Sequence, residues 1–213
     1  MCRLLLVHSK KSFSPQSHLE AFAEISRNSP EYQGHGWGCA FQDHGRWTIY
    51  KSVCPIWEDD SSRFPSTNLL MAHARSAFRD EGIRIGNNMP FISQDVVFIF
   101  NGELHGVRIR EKGRIGAEKI FNYLLRFSKE SLLQGVEKGI SIIQKRSQFI
   151  RALNLIVCNG ERAIVSTQFN GEADYFTMHF HQTKEMLRIC SQPYPSENDW
   201  QSIPNHTRKE FIL

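Results

Sequence analysis

The sequence has no CxxC pair, no apolar run long enough to enter a bilayer, and no dense block of charge of either sign. Its five cysteines, Cys2, Cys39, Cys54, Cys158 and Cys190, are an odd number spread along 213 residues. That argues against a disulfide framework and against a paired-cysteine zinc site. The amino-terminal apolar run, Leu4 to Val7, is four residues long, too short for the core of a secretory signal and far short of a bilayer span. The expectation is a cytoplasmic protein with reduced thiols. The formal charge is +4 and no run of Lys and Arg exceeds two residues, whereas a nucleic-acid stripe or a polybasic membrane patch is denser. Internal repeats, low-complexity segments and linkers are absent, so a single domain over residues 1–213 is expected. What is there is ordinary: 40% apolar and 23% charged residues, with enough length to bury a core.

The apolar pattern begins strand-like at Leu4–Val7. A helix is predicted over Ser17–Ser26, where Leu19, Phe22, Ala23 and Ile25 lie near one face. Gly34 to Phe41 runs from a glycine-rich turn into a strand, Asp43-His44-Gly45 turns, and Trp47–Val53 is its hairpin partner. Leu69–Ala74 and Val96–Phe100 are further strands. The period then changes: Glu118–Phe127 and Ser131–Gln144 place Ile120, Phe121, Leu124, Val136, Ile140 and Ile143 at helical spacing. Strand-like runs return at Ala152–Cys158, Arg162–Thr167, Tyr175–Phe180 and Met186–Cys190, and the tail with Pro193, Pro195 and Pro204 reads as irregular. Strands, two helices and strands again suggest an α+β domain of layered sheet and helix.

Three positions carry chemistry. Methionine is readily removed before a small second residue, which would leave Cys2 with a thiol and a free α-amine. Their reference pKa values, about 8.5 and about 7.7–8.0, let the amine accept the thiol proton near neutral pH. Nucleophile and base then share one residue, as in amino-terminal threonine enzymes. A lone cysteine is otherwise an inert buried thiol. Asn101-Gly102 closes the apolar strand Val96–Phe100. A turn there can aim the Asn amide and the Gly backbone N–H at one oxyanion, though Asn-Gly is equally an ordinary hairpin turn. Arg75, after His73-Ala74, can clamp a carboxylate with two parallel bonds or sit in a surface ion pair. His73 reads as a structural hydrogen-bonder, since Cys2 brings its own base.

The ordered set Met1-Cys2-Arg3-Leu4-Leu5, Gly36-Trp37-Gly38, His73-Ala74-Arg75-Ser76, Asn87-Asn88-Met89-Pro90-Phe91 and Asn101-Gly102-Glu103-Leu104 resembles the class II glutamine amidotransferases. These are amino-terminal-nucleophile hydrolases, and the pattern looks like their small stand-alone branch that includes the ergothioneine-pathway γ-glutamyl amidohydrolase. The motifs cover residues 2 to about 127. The resemblance implies a four-layer αββα sandwich. It makes Cys2 the nucleophile and base, Asn101 and Gly102 the oxyanion hole, and Arg75 the α-carboxylate ligand. Gly36 and Trp37 would shape the pocket wall with Gly38, and His73 and Glu103 would lie on the substrate side. It implies hydrolysis of glutamine or a γ-glutamyl amide through a thioester, with no metal or organic cofactor. The 213 residues leave no room for a synthase domain, so any ammonia acceptor would be a separate synthase subunit.

Two positions depart from the family pattern. Met89 stands where His usually precedes Pro, and Gly116 stands where an Asp holds the substrate α-ammonium. Losing that carboxylate removes a charge-assisted bond worth about 1.5–3 kcal/mol. Either Glu103, Glu118 or a mobile acidic residue substitutes, or the substrate amine is absent or blocked. An acylase for larger N-acyl amides and a non-catalytic binding module are the alternatives. His179-Phe180-His181 has a metal-compatible spacing but no third ligand nearby in sequence.

Overall fold

A computed structural model describes all residues from Met1 to Leu213. The chain runs through β1 (Arg3–Phe13), α1 (Gln16–Arg27), β2 (Trp37–Asp43), β3 (Arg46–Ser52), β4 (Thr67–Ala74), β5 (Phe91–Ser93) and β6 (Val96–His105). Two helices follow, α2 (Gly116–Leu125) and α3 (Leu132–Lys145). Then come β7 (Phe149–Cys158), β8 (Arg162–Ser166), the single turn α4 (Ala173–Phe176), β9 (Met178–Gln182), β10 (Met186–Cys190), β11 (Gln201–Ile203) and β12 (Arg208–Ile212). Seven strands form one antiparallel sheet in the order β11-β9-β10-β1-β4-β2-β3, and five form a second in the order β12-β8-β7-β6-β5.

Side-chain alternation sorts the layers. Leu4 and Leu6 of β1, with Leu69 and Met71 of β4 and Ala40 of β2, join the large core that holds the second sheet, α2 and α3. The alternate residues Leu5, Val7, Leu70, Ala72, Cys39 and Phe41 turn the other way, onto Leu19, Phe22 and Ile25 of α1. Phe22 is fully buried in that cluster, and truncating it to alanine should cost about 3–5 kcal/mol. On the far side Phe98 stacks on Phe121 of α2 at 5.1 Å, while Ser131 caps α3 by accepting from the Gln134 N–H. The order helix, sheet, sheet, helix gives four layers.

Three expectations need correction. β1 does not stop at Val7 but continues to Phe13, because Lys10 N–H is taken up by the Glu185 carbonyl at 3.0 Å and Phe13 pairs with Thr67. Tyr175 and Phe176 belong to α4 rather than to a strand, and β9 begins at Met178. The tail is not irregular throughout. β11 adds to β9 and β12 adds to β8, each extending an edge that would otherwise be open.

Candidate active site

Cys2 precedes β1 on the face of Leu4 and Leu6, so it looks into the space between the sheets. Its backbone N–H donates to Asn101 Oδ1 at 2.8 Å, and its sulfur lies 3.6 Å from the Ser76 carbonyl. Packing around the sulfur raises the thiol pKa, opposed by the Met1 ammonium and the Arg75 guanidinium. Asn101 is fully buried, and its Nδ2 has no hydrogen-bond partner. An unpaired buried amide costs about 1–3 kcal/mol. One end of this side chain thus holds the Cys2 nitrogen while the other keeps a buried donor with no partner.

The dipeptide Asn101-Gly102 is not the expected turn. β6 passes straight through it to His105, pairing Asn101 with Asn154 and Gly102 with Leu153; the register shifts only after Glu103. The apolar run ends at Phe100, but the ladder with β7 does not. Gly102 is required here for space: a Cβ would lie 2.3 Å from the Ala152 carbonyl and 2.4 Å from the Phe100 ring.

Arg75 is nearly buried, yet no carboxylate pairs with it. Its Nη1 donates to the Gly82 carbonyl and to Asn88 Oδ1, both at 3.0 Å, and burial lowers its pKa. The cation is held by neutral acceptors only, which leaves its charge available to an anionic ligand. Its backbone N–H donates to the Gly36 carbonyl at 2.9 Å. Gly36 has φ +104, and a Cβ there would sit 2.2 Å from Asn88 Nδ2, so glycine lets Asn88 reach and support Arg75.

Other anticipated residues sit differently. Trp37 shares the parity of Cys39 and Phe41, and its indole packs with Tyr50 and Phe64 beneath α1 while donating to Asp59 Oδ2 at 2.9 Å. Its side chain therefore lies on the opposite face of the sheet from Cys2. His73 is fully buried with neither ring nitrogen hydrogen-bonded. Burial foremost, then Arg75, pushes its pKa down to about 3, so it stays neutral. Glu103 is engaged by His105 at 2.7 Å and by Arg151 at 3.2 Å. Glu118 is held by Arg114 through its backbone N–H and guanidinium. A Cβ at Gly116 would meet nothing within 4 Å.

The structure adds a group that no motif marks. Met1 sends its ammonium to Glu31, and its carbonyl accepts from Gln33 Nε2 and Tyr175 Oη, each at 2.5 Å. Its side chain packs against the cluster of Ala152, Phe169, Tyr175 and Phe176. Arg151 bonds the other Glu31 oxygen at 2.9 Å and also reaches Glu103 and Glu172. Burial works against the Glu31 charge, but the Met1 ammonium and Arg151 keep its pKa below the usual value. Glu31 and Gln33 lie more than a hundred residues from Arg151, Glu172 and Tyr175, and only the tertiary fold collects them.

No group of three or more His, Cys, Asp or Glu side chains is arranged to hold a metal ion; His181 lies 3.0 Å from an Arg188 nitrogen. No helix is long and apolar enough to cross a membrane. No protein-family model matches the chain, and no curated protein matches it. Solved structures do. A predicted glutamine amidotransferase from Pseudomonas aeruginosa superposes with TM-score 0.64 at 16% identity, over 99% of this chain and 97% of that one. A glutamine aminotransferase class-II domain protein from Silicibacter pomeroyi gives 0.64 at 13% identity, over 100% and 99%. Glutamine phosphoribosylpyrophosphate amidotransferase from B. subtilis gives 0.66 at 14% identity, over 99% of this chain but 49% of that one. The chain thus spans about half the length of that last enzyme. At these identities the shared property is the fold, a four-layer αββα sandwich.

Proposed function

We propose that this chain hydrolyses a side-chain carboxamide, glutamine or a γ-glutamyl amide, through a thioester on Cys2 after Met1 is removed. The observation that carries the reading is Asn101: its Oδ1 holds the Cys2 nitrogen at 2.8 Å while its Nδ2 is buried and unpaired. While Met1 is attached, the Cys2 nitrogen is an amide and cannot act as a base. Hydrolysis of the Met1–Cys2 bond makes it an amine. That amine takes the thiol proton, and the sulfur attacks the amide carbon. The oxyanion is held by Asn101 Nδ2 and the Gly102 N–H. The ammonium then protonates the departing nitrogen as the C–N bond breaks, and water hydrolyses the thioester.

Arg75 supplies the carboxylate end of the site. The ammonium end is less well provided: Gly116 offers no carboxylate, and Glu103 and Glu118 are already paired. This favours an acyl group whose α-amine is absent or blocked, and with it the acylase reading on the same scaffold. Released ammonia would serve a separate synthase subunit if one exists; an amidohydrolase of the γ-glutamyl type needs none.

Intact mass and ammonia release test the proposal together. Active protein should lack Met1, and Cys2→Ala should abolish turnover of glutamine and of N-acylated glutamine alike. Activity in a preparation that retains Met1, or equal rates in Cys2→Ala, would overturn the role of Cys2. Turnover of the N-acylated amide alone would favour a substrate whose α-amine is blocked, as Gly116 permits.

A further inference from the structure

Met1 fills a fitted pocket, and that pocket touches the one atom that must hand a proton to the leaving group. Removing Met1 adds water across the Met1–Cys2 peptide bond, releasing methionine and freeing the Cys2 α-amine. The space left behind keeps everything that held Met1. Glu31 loses its ammonium partner. Gln33 Nε2 and Tyr175 Oη, which converge on the Met1 carbonyl oxygen at 2.5 Å each, lose their shared acceptor. Phe169, Tyr175 and Phe176 lose the apolar side chain packed against them.

The change falls on one carboxylate. Two guanidiniums lie there: Arg151 bonds three carboxylates, Glu31, Glu103 and Glu172, and buried Arg3 lies over the Tyr175 ring at 4.2 Å. With the Met1 ammonium gone Glu31 keeps Arg151 on Oε1, and its Oε2 is released. Gln33 is fully buried, and its Oε1 also lacks a partner. Gln33 Nε2 keeps the Glu31 carbonyl at 2.8 Å and Tyr175 Oη at 3.1 Å, so the groups that call for a ligand or ordered water are Tyr175 Oη and Gln33 Oε1.

Position decides which ligand. If the catalytic reading above holds, the acyl half of a substrate lies between Asn101 Nδ2 and Arg75. The Cys2 amine must deliver its proton to the leaving nitrogen, so the amine half departs past that atom. The volume attached to the Cys2 nitrogen is the one Met1 occupies. We infer that the vacated Met1 pocket is the subsite for the amine half of the substrate, and that it selects an amine half carrying a second, cationic nitrogen. Such a group keeps that charge while its first nitrogen is tied up in the scissile amide, and it brings the cation to Glu31, a carbonyl oxygen to Gln33 and Tyr175, and an apolar portion to Phe169 and Phe176.

Binding can be measured apart from catalysis, by calorimetry on mature protein whose loss of Met1 is verified by mass. The probes are L-methioninamide, which reproduces the ammonium, carbonyl and side chain of Met1, and N-acetyl-L-methioninamide, which lacks the cation. Wild type should bind the first at least tenfold more tightly. Glu31→Gln should erase that preference; Arg151 keeps Glu103 and Glu172 as partners in this variant, so the surrounding structure has reason to persist. Tyr175→Phe, which keeps the ring and drops only the hydroxyl donor, should weaken both probes severalfold. Equal affinity for the two probes, no binding of either, or a preference that survives Glu31→Gln would overturn the inference. A parallel kinetic series compares γ-glutamyl amides whose amine halves are cationic or neutral and of equal length. The cationic one should have the higher kcat/KM in wild type, with the ratio collapsing in Glu31→Gln. Selective probe binding in a protein that turns over no amide upholds the subsite and overturns only the catalytic reading. Amide turnover without selective binding overturns only the subsite.

Discussion

Exchanging Asn101 for Asp isolates the oxyanion donor with the least disturbance to packing. The two side chains have the same shape. Aspartate keeps an oxygen for the Cys2 nitrogen, which lies 2.8 Å from Oδ1, and replaces the unpaired Nδ2 donor with an acceptor. The backbone pairing of Asn101 with Asn154 does not involve the side chain, so the β6–β7 register should survive. Loss of one oxyanion donor costs about 2.7–4 kcal/mol of barrier, a fall of about 10²–10³ in kcat. A carboxylate facing the developing oxyanion repels it, so the loss should be at least that large. KM should move little, because Arg75 and its supports are untouched. Asn101→Ala is the control for structure. It removes the Cys2 acceptor as well and adds a stability loss of about 1–3 kcal/mol from an unsatisfied N–H. Steady-state ammonia release, single-turnover thioester trapping by rapid-quench mass spectrometry and thermal unfolding separate the two effects. A folded Asn101→Asp protein with kcat within tenfold of wild type would refute the assignment.

Arg75→Lys keeps the charge but loses the planar guanidinium whose Nη1 bonds Gly82 and Asn88. KM for carboxylate-bearing amides should rise about 10- to 100-fold, with little change for amides that lack the carboxylate; equal effects on both classes would show that Arg75 does not bind it. Gly116 opens α2 and has nothing within 4 Å of a built Cβ, so Gly116→Asp should stabilise the helix N-terminus by about 0.3–1 kcal/mol. If Gly116 stands where the substrate ammonium docks, the same change should lower KM for free glutamine about tenfold, and an unchanged KM in a stabilised protein would count against that placement. Finally, His18 and His73 have pKa values lowered from 6.5 to about 4 and about 3, chiefly by burial. Below pH 6.5 the unfolded chain binds protons that the folded chain refuses, so stability falls as pH falls toward the folded values. At pH 5 each histidine should remove about 2 kcal/mol relative to pH 7, visible as a lower urea midpoint. A midpoint that is flat over that range would contradict the burial argument.

What could be read beforehand follows from the range of each signal. The helical runs predicted at 118–127 and 131–144 appear as α2 and α3 with ends displaced by one or two residues, since an apolar stripe at helical spacing is a local property. The strands of the tail are illegible because each is short and lies close to Pro204, and their reason for being extended is a partner far away: Ser202 meets His179, and Phe211 meets Ala163. Trp37 was legible and misplaced. Strict alternation through Trp37, Cys39 and Phe41 assigns the indole to the α1 side and leaves Gly36 and Gly38 facing the inter-sheet space. The parity was present in the sequence, whereas the motif suggested a pocket wall. Cys2 and Asn101 stand out because their chemistry depends on residue type and chain position. Glu31, Gln33, Arg151 and Tyr175 are ordinary residues whose only distinction is that they meet around Met1. The half of the candidate site that would hold the acyl group is therefore encoded in local motifs, while the half facing the amine is encoded only in how the two sheets stack. Variation that retunes the leaving group can then occur at Glu31 or Tyr175 without altering any motif by which such a chain is recognised.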